Sequence, residues 1–227
     1  MITIENEEVS GWEAAIRGMR NPMNSWNKSD SQWEWIEDPS PINPNDPGMQ
    51  LVIGENDLSL MKRLVCAGTD HSKFMRMIIV TVDITAPLYW WKEADTYKVG
   101  TVRNSCSTMH RIQAKQFTLD DFSHEHLFTE KEVRWGEICP TATLECTIHA
   151  LNHYRKGFLE TNDKQYWWQM IQLLPSSYNQ RSTLQLNYAV LRNMYHSRKS
   201  HKLDEWKDFC KWVKSLPSSE LITMEGR

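Results

Sequence analysis

Apolar side chains recur at three- and four-residue spacing in the first third of the chain, which is the spacing of one helix face. Residues 11–20 show this pattern and predict a short helix. Residues 57–66 show it again, with Asp57 as a candidate N-cap and Gly68 as the residue that ends the helix. Residues 37–48 carry four prolines and a glycine, and therefore predict an extended loop.

A nearly continuous apolar run in the middle of the chain predicts a central strand. Residues 77–85 are rich in β-branched side chains, and Pro87 follows the run. Residues 88–111 begin apolar and become polar, which predicts a helix followed by an irregular loop. Residues 118–130 are acidic and polar, and we expect them to form a surface connection.

The C-terminal half returns to helical spacing. Residues 141–160, 163–174 and 183–214 each predict helix, and Pro175 and Pro217 separate or end these segments. A strand followed by several helices is typical of an α/β fold of the α+β type.

Composition indicates one globular domain spanning residues 1–227. The net charge of −3 argues against a nucleic-acid polymer as partner, since such binders are usually basic. No apolar run reaches the roughly 20 residues of a membrane helix, and the acidic N-terminus does not resemble a signal peptide. The five cysteines form no Cys-x-x-Cys pair, so we expect a reduced, cytoplasmic protein without a membrane partner.

Eleven tryptophans are an unusual number for this length. Because an exposed indole ring leaves much apolar surface in water, most of them should lie in a core, an interface or a pocket that stacks planar rings. The pairs Trp90-Trp91 and Trp167-Trp168 do not fit a simple core stripe.

Two histidine groups are candidate metal ligands. Glu145, His149 and His153 are spaced four residues apart on a predicted helix, and His124 and His126 alternate along the chain. The alternative is a solvated helix face and a solvated loop, and we expect no metal. Phosphate-loop, dinucleotide and nucleophile-elbow motifs are missing from the sequence.

Two polar stretches are candidate ligand sites. In residues 92–111, cations alternate with hydroxyl and amide side chains, so this segment can bind a phosphate or can be an ordinary polar loop. In residues 187–202, polar side chains interrupt the apolar stripe of a helix. They can converge on a ligand or form a solvated face.

Several segments resemble, in collinear order, the flavin-dependent thymidylate synthase family. Residues 15–20 resemble its first phosphate contact. Residues 68–74, Gly-Thr-Asp-His-Ser-Lys-Phe, resemble its Gly-His-x-(Ser/Thr)-x-Phe turn with the His one position late. Residues 86–89, Ala-Pro-Leu-Tyr, resemble the end of its strand. Residues 173–175 are similar to its Leu-Pro step. The spacing of its C-terminal Asn…Asn…Leu-Arg helix is kept by Asn187, Asn193 and Arg198.

The family signature Arg-His-Arg-x-x-Ser-x-Asn-Glu-x-Ser-x-Arg-Tyr is only partly kept. Aligned from Pro87 without a gap, it places Tyr97 at the His and Lys98 at the second Arg. A one-residue insertion instead matches Asn104 to the Asn and Ser107 to the second Ser. Both registers stay open. Relative to the family, the Pro-rich residues 27–50 resemble an insertion.

The resemblance implies an α/β fold with a curved, mostly antiparallel sheet flanked by helices, and a homotetramer. It implies FAD as cofactor, with methylenetetrahydrofolate and NADPH as cosubstrates, and reductive methylation of dUMP to dTMP. It implies Arg198 as the catalytic residue that faces the pyrimidine. The implied substrate-binding residues are Lys92, Glu93, Thr101, Asn104, Ser105, Cys106, Ser107 and Arg198. The implied FAD-binding residues are His71, Ser72, Thr96, Tyr97, Lys98, Asn187 and Asn193.

Two alternatives remain beside this activity. The altered signature favours a paralogue that binds flavin or a pyrimidine nucleotide but carries out a different modification. The tryptophan pairs favour a non-catalytic, oligomeric interaction protein.

Overall fold

The computed structural model describes residues 2–35 and 49–225. The strands are β1 (Thr3–Ser10), β2 (Gln32–Trp35), β3 (Met49–Val52), β4 (Ile79–Pro87), β5 (Val102–Ser105) and β6 (Asn179–Asn187). The helices are α1 (Trp12–Arg20), α2 (Glu55–Cys66), α3 (Leu88–Ala94), α4 (Thr108–Arg111), α5 (Pro140–Thr161), α6 (Lys164–Leu173), α7 (Tyr188–Arg198), α8 (Asp204–Ser215) and α9 (Glu220–Thr223). The extended loop predicted for 37–48 lies outside the described residues.

The described strands form two sheets. One has four strands in the order β1-β4-β6-β5, and the other is an antiparallel pair of β2 with β3 in which Gln32 lies opposite Val52. The fold is mixed α/β with an antiparallel sheet and helices, which confirms the predicted fold class. No helix within 2–35 and 49–225 is both long enough and apolar enough to cross a bilayer.

The chain divides into two compact units, which we call the first and second units. The first unit contains 1–3, 84–96 and 104–182, and the second contains 4–83, 97–103 and 183–227. The core of the first unit is a cluster of Ile112, Phe117, Phe122, Leu144, Leu151 and Met170. In the second unit, α7 packs against α8 and α9. One domain over 1–227 stays a prediction.

The predictions for α1, α5, α6 and the central strand are confirmed to within two residues. The helix predicted for 183–214 is wrong at its start, because residues 183–187 belong to strand β6, and it is interrupted between α7 and α8 at 199–203. Along β6, Ser182, Leu184 and Leu186 are buried while the residues between them are exposed, and this alternation with a period of two is that of a strand. The irregular loop predicted within 88–111 is also wrong in part, since it contains strand β5 and helix α4.

Asp57 is not the N-cap of α2. The helix begins at Glu55, and the carboxylate of Asp30 accepts hydrogen bonds from the backbone N–H groups of Asn56 and Asp57, at 2.9 and 3.1 Å. Those two groups have no partner inside the helix, so a carboxylate outside it satisfies them. Gly68 follows the end of α2 with a φ of 107°, as its position predicted.

Candidate functional site

Helix α7 follows strand β6 without a loop, because Asn187 ends the strand and also caps the helix. Its side-chain oxygen accepts a hydrogen bond from the backbone N–H of Val190 at 3.1 Å. The turn at Gly100 lies close by, since a Cβ there would be 3.2 Å from Nδ2 of Asn187. With a φ of 82°, that turn favours glycine. Asn187, predicted to bind FAD, therefore also sets where α7 begins.

Arg198 is the last residue of α7, and two aromatic side chains of the second unit hold its guanidinium group. Its Nε donates a hydrogen bond to the hydroxyl oxygen of Tyr97 at 2.9 Å. The guanidinium carbon lies 4.8 Å from the centre of the Trp206 ring and 5.5 Å from that of the Tyr97 ring. Both distances are within the range of a cation–π interaction. We call Tyr97, Arg198 and Trp206 the arginine cage.

Short hydrogen bonds fix the residues around the arginine cage. The hydroxyl of Thr101 donates to the carbonyl oxygen of Tyr97 at 2.8 Å. After α7, the N–H of His201 donates to the carbonyl oxygen of Arg198, and Nδ1 of His201 accepts from the N–H of Leu203. The turn that leads to Trp206 is therefore held by its own backbone and by one imidazole.

The other polar residues of α7 bind the C-terminal segment. Nη1 of Arg192 donates to the carbonyl oxygens of Leu221, Ile222 and Met224 at 3.2, 3.1 and 2.6 Å. Burial lowers the pKa of Arg192, but a guanidinium keeps its charge at neutral pH. Lys199 forms an ion pair with Glu225 at 2.5 Å. These contacts explain much of the polar character of 187–202 without a ligand.

The remaining predicted FAD residues of the second unit lie near the surface. His71, Lys98 and Asn193 are exposed, and Ser72 is half-buried. The backbone N–H groups of His71 and Ser72 both donate to the carbonyl oxygen of Gly68, which fixes the turn. Their side chains include a cation, an imidazole and a hydroxyl, each of which can donate a hydrogen bond to a phosphate oxygen.

In the first unit, the predicted substrate residues occupy an ordered edge. Asn104 and Ser105 are exposed residues of β5. Cys106 follows and is hydrogen-bonded to β6 residues at both backbone groups: its N–H donates to Arg181 and its carbonyl oxygen accepts from Gln180. The hydroxyl oxygen of Ser107 accepts from the N–H of His110 at 3.1 Å and so caps α4.

The remaining predicted residues of the first unit lie on or just after α3. Lys92 and Thr96 are exposed and Glu93 is half-buried. The hydroxyl of Thr96 donates to the carbonyl oxygen of Glu93 at 2.7 Å, so it closes the end of the helix.

Neither candidate metal group gains support. Glu145, His149 and His153 are all exposed, and in the described part of the chain no three His, Cys, Asp or Glu side chains come together. All five cysteines are free thiols.

Trp90 and Trp91, which do not fit a simple core stripe in the sequence, lie in the interior of the first unit. Both rings are buried in the first unit, at 0% and 2% exposure, and pack edge to face with 4.8 Å between centroids. Nε1 of Trp91 donates to the carbonyl oxygen of Gln180 at 2.9 Å. Trp90 and Trp91 are therefore core residues.

Trp206, which belongs to the arginine cage, was not among the predicted site residues. Trp206 lies on the next helix, and the turn between it and Arg198 interrupts the helical spacing, so no periodic pattern links the two residues.

The fold is mixed α/β with an antiparallel sheet and helices, and it is similar to the fold of flavin-dependent thymidylate synthases. The chain is similar to thymidylate synthase X of Helicobacter pylori, solved with FAD and dUMP, at a TM-score of 0.65 and 16% identity over 99% of this chain and 98% of that one. A second structure of that enzyme with the same two ligands gives 0.63 and 16%, over 99% and 97%. The UMP/dUMP methylase PolB of Streptomyces cacaoi, bound with 5-Br dUMP, gives 0.59 and 14%, over 100% and 96%.

These likenesses establish the fold along nearly the whole chain. No protein-family profile and no curated protein sequence matches the chain.

Proposed function

We propose that the protein is a flavin-dependent methylase of a pyrimidine nucleotide, with dUMP as substrate and FAD as cofactor. The observation that carries this proposal is the arginine cage, which holds Arg198 in a fixed place on a fold that two dUMP-binding proteins share over nearly their full lengths. Methylenetetrahydrofolate and NADPH are the proposed cosubstrates.

The proposed role of Arg198 follows from its charge and its fixed position. Methylation at C5 of a uracil ring builds negative charge on the ring carbonyl and nitrogen. A cation held in advance stabilises that charge without reorganising in the transition state. Bound FAD would supply hydride chemistry that no side chain of this protein can supply.

The other proposed contacts follow from side-chain chemistry in each unit. In the second unit, His71, Ser72 and Lys98 are proposed to bind the FAD diphosphate. In the first unit, the exposed donors of 104–107 are proposed to bind the nucleotide phosphate, because amide and hydroxyl groups on an ordered edge can point at one anion.

Spectroscopy and isotope release test the proposal. The purified protein, with FAD added, should show flavin absorbance after gel filtration. It should then release tritium from C5-labelled dUMP in the presence of methylenetetrahydrofolate and NADPH. Arg198→Ala should lower that rate by about 10²- to 10³-fold. Lys199→Ala is the matched control, since it removes the next positive charge along the chain, just after α7, and should leave the rate nearly unchanged.

A protein that binds no FAD would contradict the proposal, and so would an Arg198→Ala variant of full activity.

The altered signature supports a second candidate, in which the same fold binds flavin or a pyrimidine nucleotide but carries out a different modification. Tyr97 aligns with the family histidine in the ungapped register and contacts Arg198 here. Mass spectrometry of the product from dUMP separates the two candidates: a mass gain of one methylene would favour the first, and any other change of mass would favour the second.

A homotetramer is the proposed assembly. Trp26, Trp33 and Trp35 are 52%, 49% and 74% exposed. Exposed apolar rings favour association between chains, because association removes them from water. Sedimentation velocity should give a mass close to four chains.

A further inference from the structure

Tyr97 and Arg198 are 101 residues apart in sequence, yet the hydroxyl oxygen of Tyr97 accepts a hydrogen bond from Nε of Arg198 at 2.9 Å. Nε is the guanidinium nitrogen nearest the aliphatic stem. A hydrogen bond at that nitrogen fixes the plane of the guanidinium group. A neutral phenol also leaves the positive charge of the arginine in place.

Trp206, the second ring of the arginine cage, is held in place by its own packing. Trp206 is fully buried and packs edge to face on Phe209, with 5.4 Å between centroids. The rings of Tyr97 and Trp206 are themselves edge to face, at 6.2 Å and 68°. The guanidinium group therefore contacts two rings that already contact each other, which restricts the rotamers open to a long side chain.

We propose that Tyr97 is a positioning residue, which orients the guanidinium of Arg198 toward the pyrimidine ring rather than stacking on the flavin. This inference rests on the proposed function for the identity of the ligand. Tyr97 would then affect pyrimidine binding only through Arg198, and a residue that stacked on FAD would not depend on Arg198 in this way.

Tyr97→Phe is the informative variant, since it removes one oxygen and keeps the ring of the cage. Calorimetry with dUMP, in the presence of saturating FAD, should show affinity about five- to tenfold weaker than wild type. In an Arg198→Ala background the same substitution should change the affinity by less than about twofold, because coupled residues are not additive. An equal loss in both backgrounds would overturn the proposal, since Tyr97 would then act without Arg198.

A second measurement needs no ligand. The ¹⁵N–¹H signal of the Arg198 side chain, assigned by its loss in Arg198→Ala, should shift and exchange faster with water in Tyr97→Phe. Tyr195→Phe is the matched control, because it makes the same change on α7 itself, and it should leave the signal in place. An unchanged signal in Tyr97→Phe would overturn the inference.

Failure of the proposed function has a different signature. A wild-type protein that binds FAD but no dUMP would contradict the function alone, and the nitrogen signal would still decide whether Tyr97 orients Arg198.

Discussion

Arg20 and Asp57 form a buried ion pair in which Nε and Oδ1 are 2.6 Å apart and the two side chains are 4% and 0% exposed. The hydroxyl groups of Ser29 and Ser31 donate to the second carboxylate oxygen, each at 2.7 Å. The pair joins α1 to α2 and to the chain before β2. Both oxygens of this buried carboxylate have partners, as in a structural ion pair. Removal of the carboxylate would leave the charge of Arg20 buried without its counter-charge.

Asp57→Asn should therefore destabilise the protein strongly. We expect a loss of about 3–5 kcal/mol, because Arg20 would remain buried without its counter-charge. Urea unfolding followed by far-UV circular dichroism measures this free energy. Asp208→Asn is the control, since its ion pair with Lys211 lies on the surface, where a loss of at most about 1 kcal/mol is expected.

The same pair predicts an acid limit to stability. Burial of Asp57 raises its pKa, but the hydrogen bonds from Ser31, Ser29 and Arg20 and the charge of Arg20 outweigh burial, so the pKa lies below its ordinary value. The stabilisation is therefore complete above the unfolded-state pKa of about 4 and is lost as the pH falls through the folded-state value. Unfolding free energies measured from pH 6 to about pH 2 should fall more steeply in the wild type than in Asp57→Asn. Parallel curves would contradict this assignment.

Two glycines with nearly the same backbone offer a matched test of packing. Gly11 and Gly136 have φ values of 87° and 86°. A Cβ at Gly11 would collide with the carbonyl oxygen of Met77, whereas a Cβ at Gly136 would meet nothing within 4 Å. Gly136→Ala should cost about 1–2 kcal/mol for the left-handed backbone alone, and Gly11→Ala clearly more. Thermal unfolding of both variants measures the difference, and equal losses would exclude the collision.

The C-terminal segment should loosen without Arg192. Its Nη1 donates to three carbonyl oxygens of residues 221–224, and hydrogen bonds to charged groups contribute about 1.5–3 kcal/mol. Arg192→Met keeps much of the stem and removes the donors. Amide hydrogen exchange should then speed up in 221–225. Lys214→Met on α8 is the control. If this variant also speeds up amide exchange in 221–225 by the same factor, the effect reflects a general loss of stability.

Much of the fold could be predicted from local patterns, and the errors have a common cause. Helices α1, α5 and α6 have long or clear stripes, and the β-branched run at 79–87 has few other structures open to it. Residues 183–187 of β6 resemble part of a helix in the sequence, because Leu184 and Leu186 are followed directly by the apolar stripe of α7. The alternation that marks the strand is only three positions long.

The site was harder to predict because its contacts are long-range. Arg198 is indicated by the residue spacing that this chain shares with the family's C-terminal helix. No local pattern links Arg198 to Tyr97 or Trp206. Capping by Asp30 from outside α2 is equally invisible, since the usual signal places the cap next to the helix. Burial of Trp90 and Trp91 depends on which faces of α3 the rest of the first unit covers.

Because β6 and α7 join without a loop, the number of residues between Asn187 and Arg198 determines where Arg198 lies. Asn187 ends the strand and caps the helix, so Arg198 is the eleventh and last residue of α7. Each residue turns a helix by about 100° and advances it by about 1.5 Å. One residue inserted between Asn187 and Arg198 would therefore swing the guanidinium out of its cage, even if every side chain were kept. Along this stretch, the number of residues therefore constrains the position of Arg198 separately from their identity.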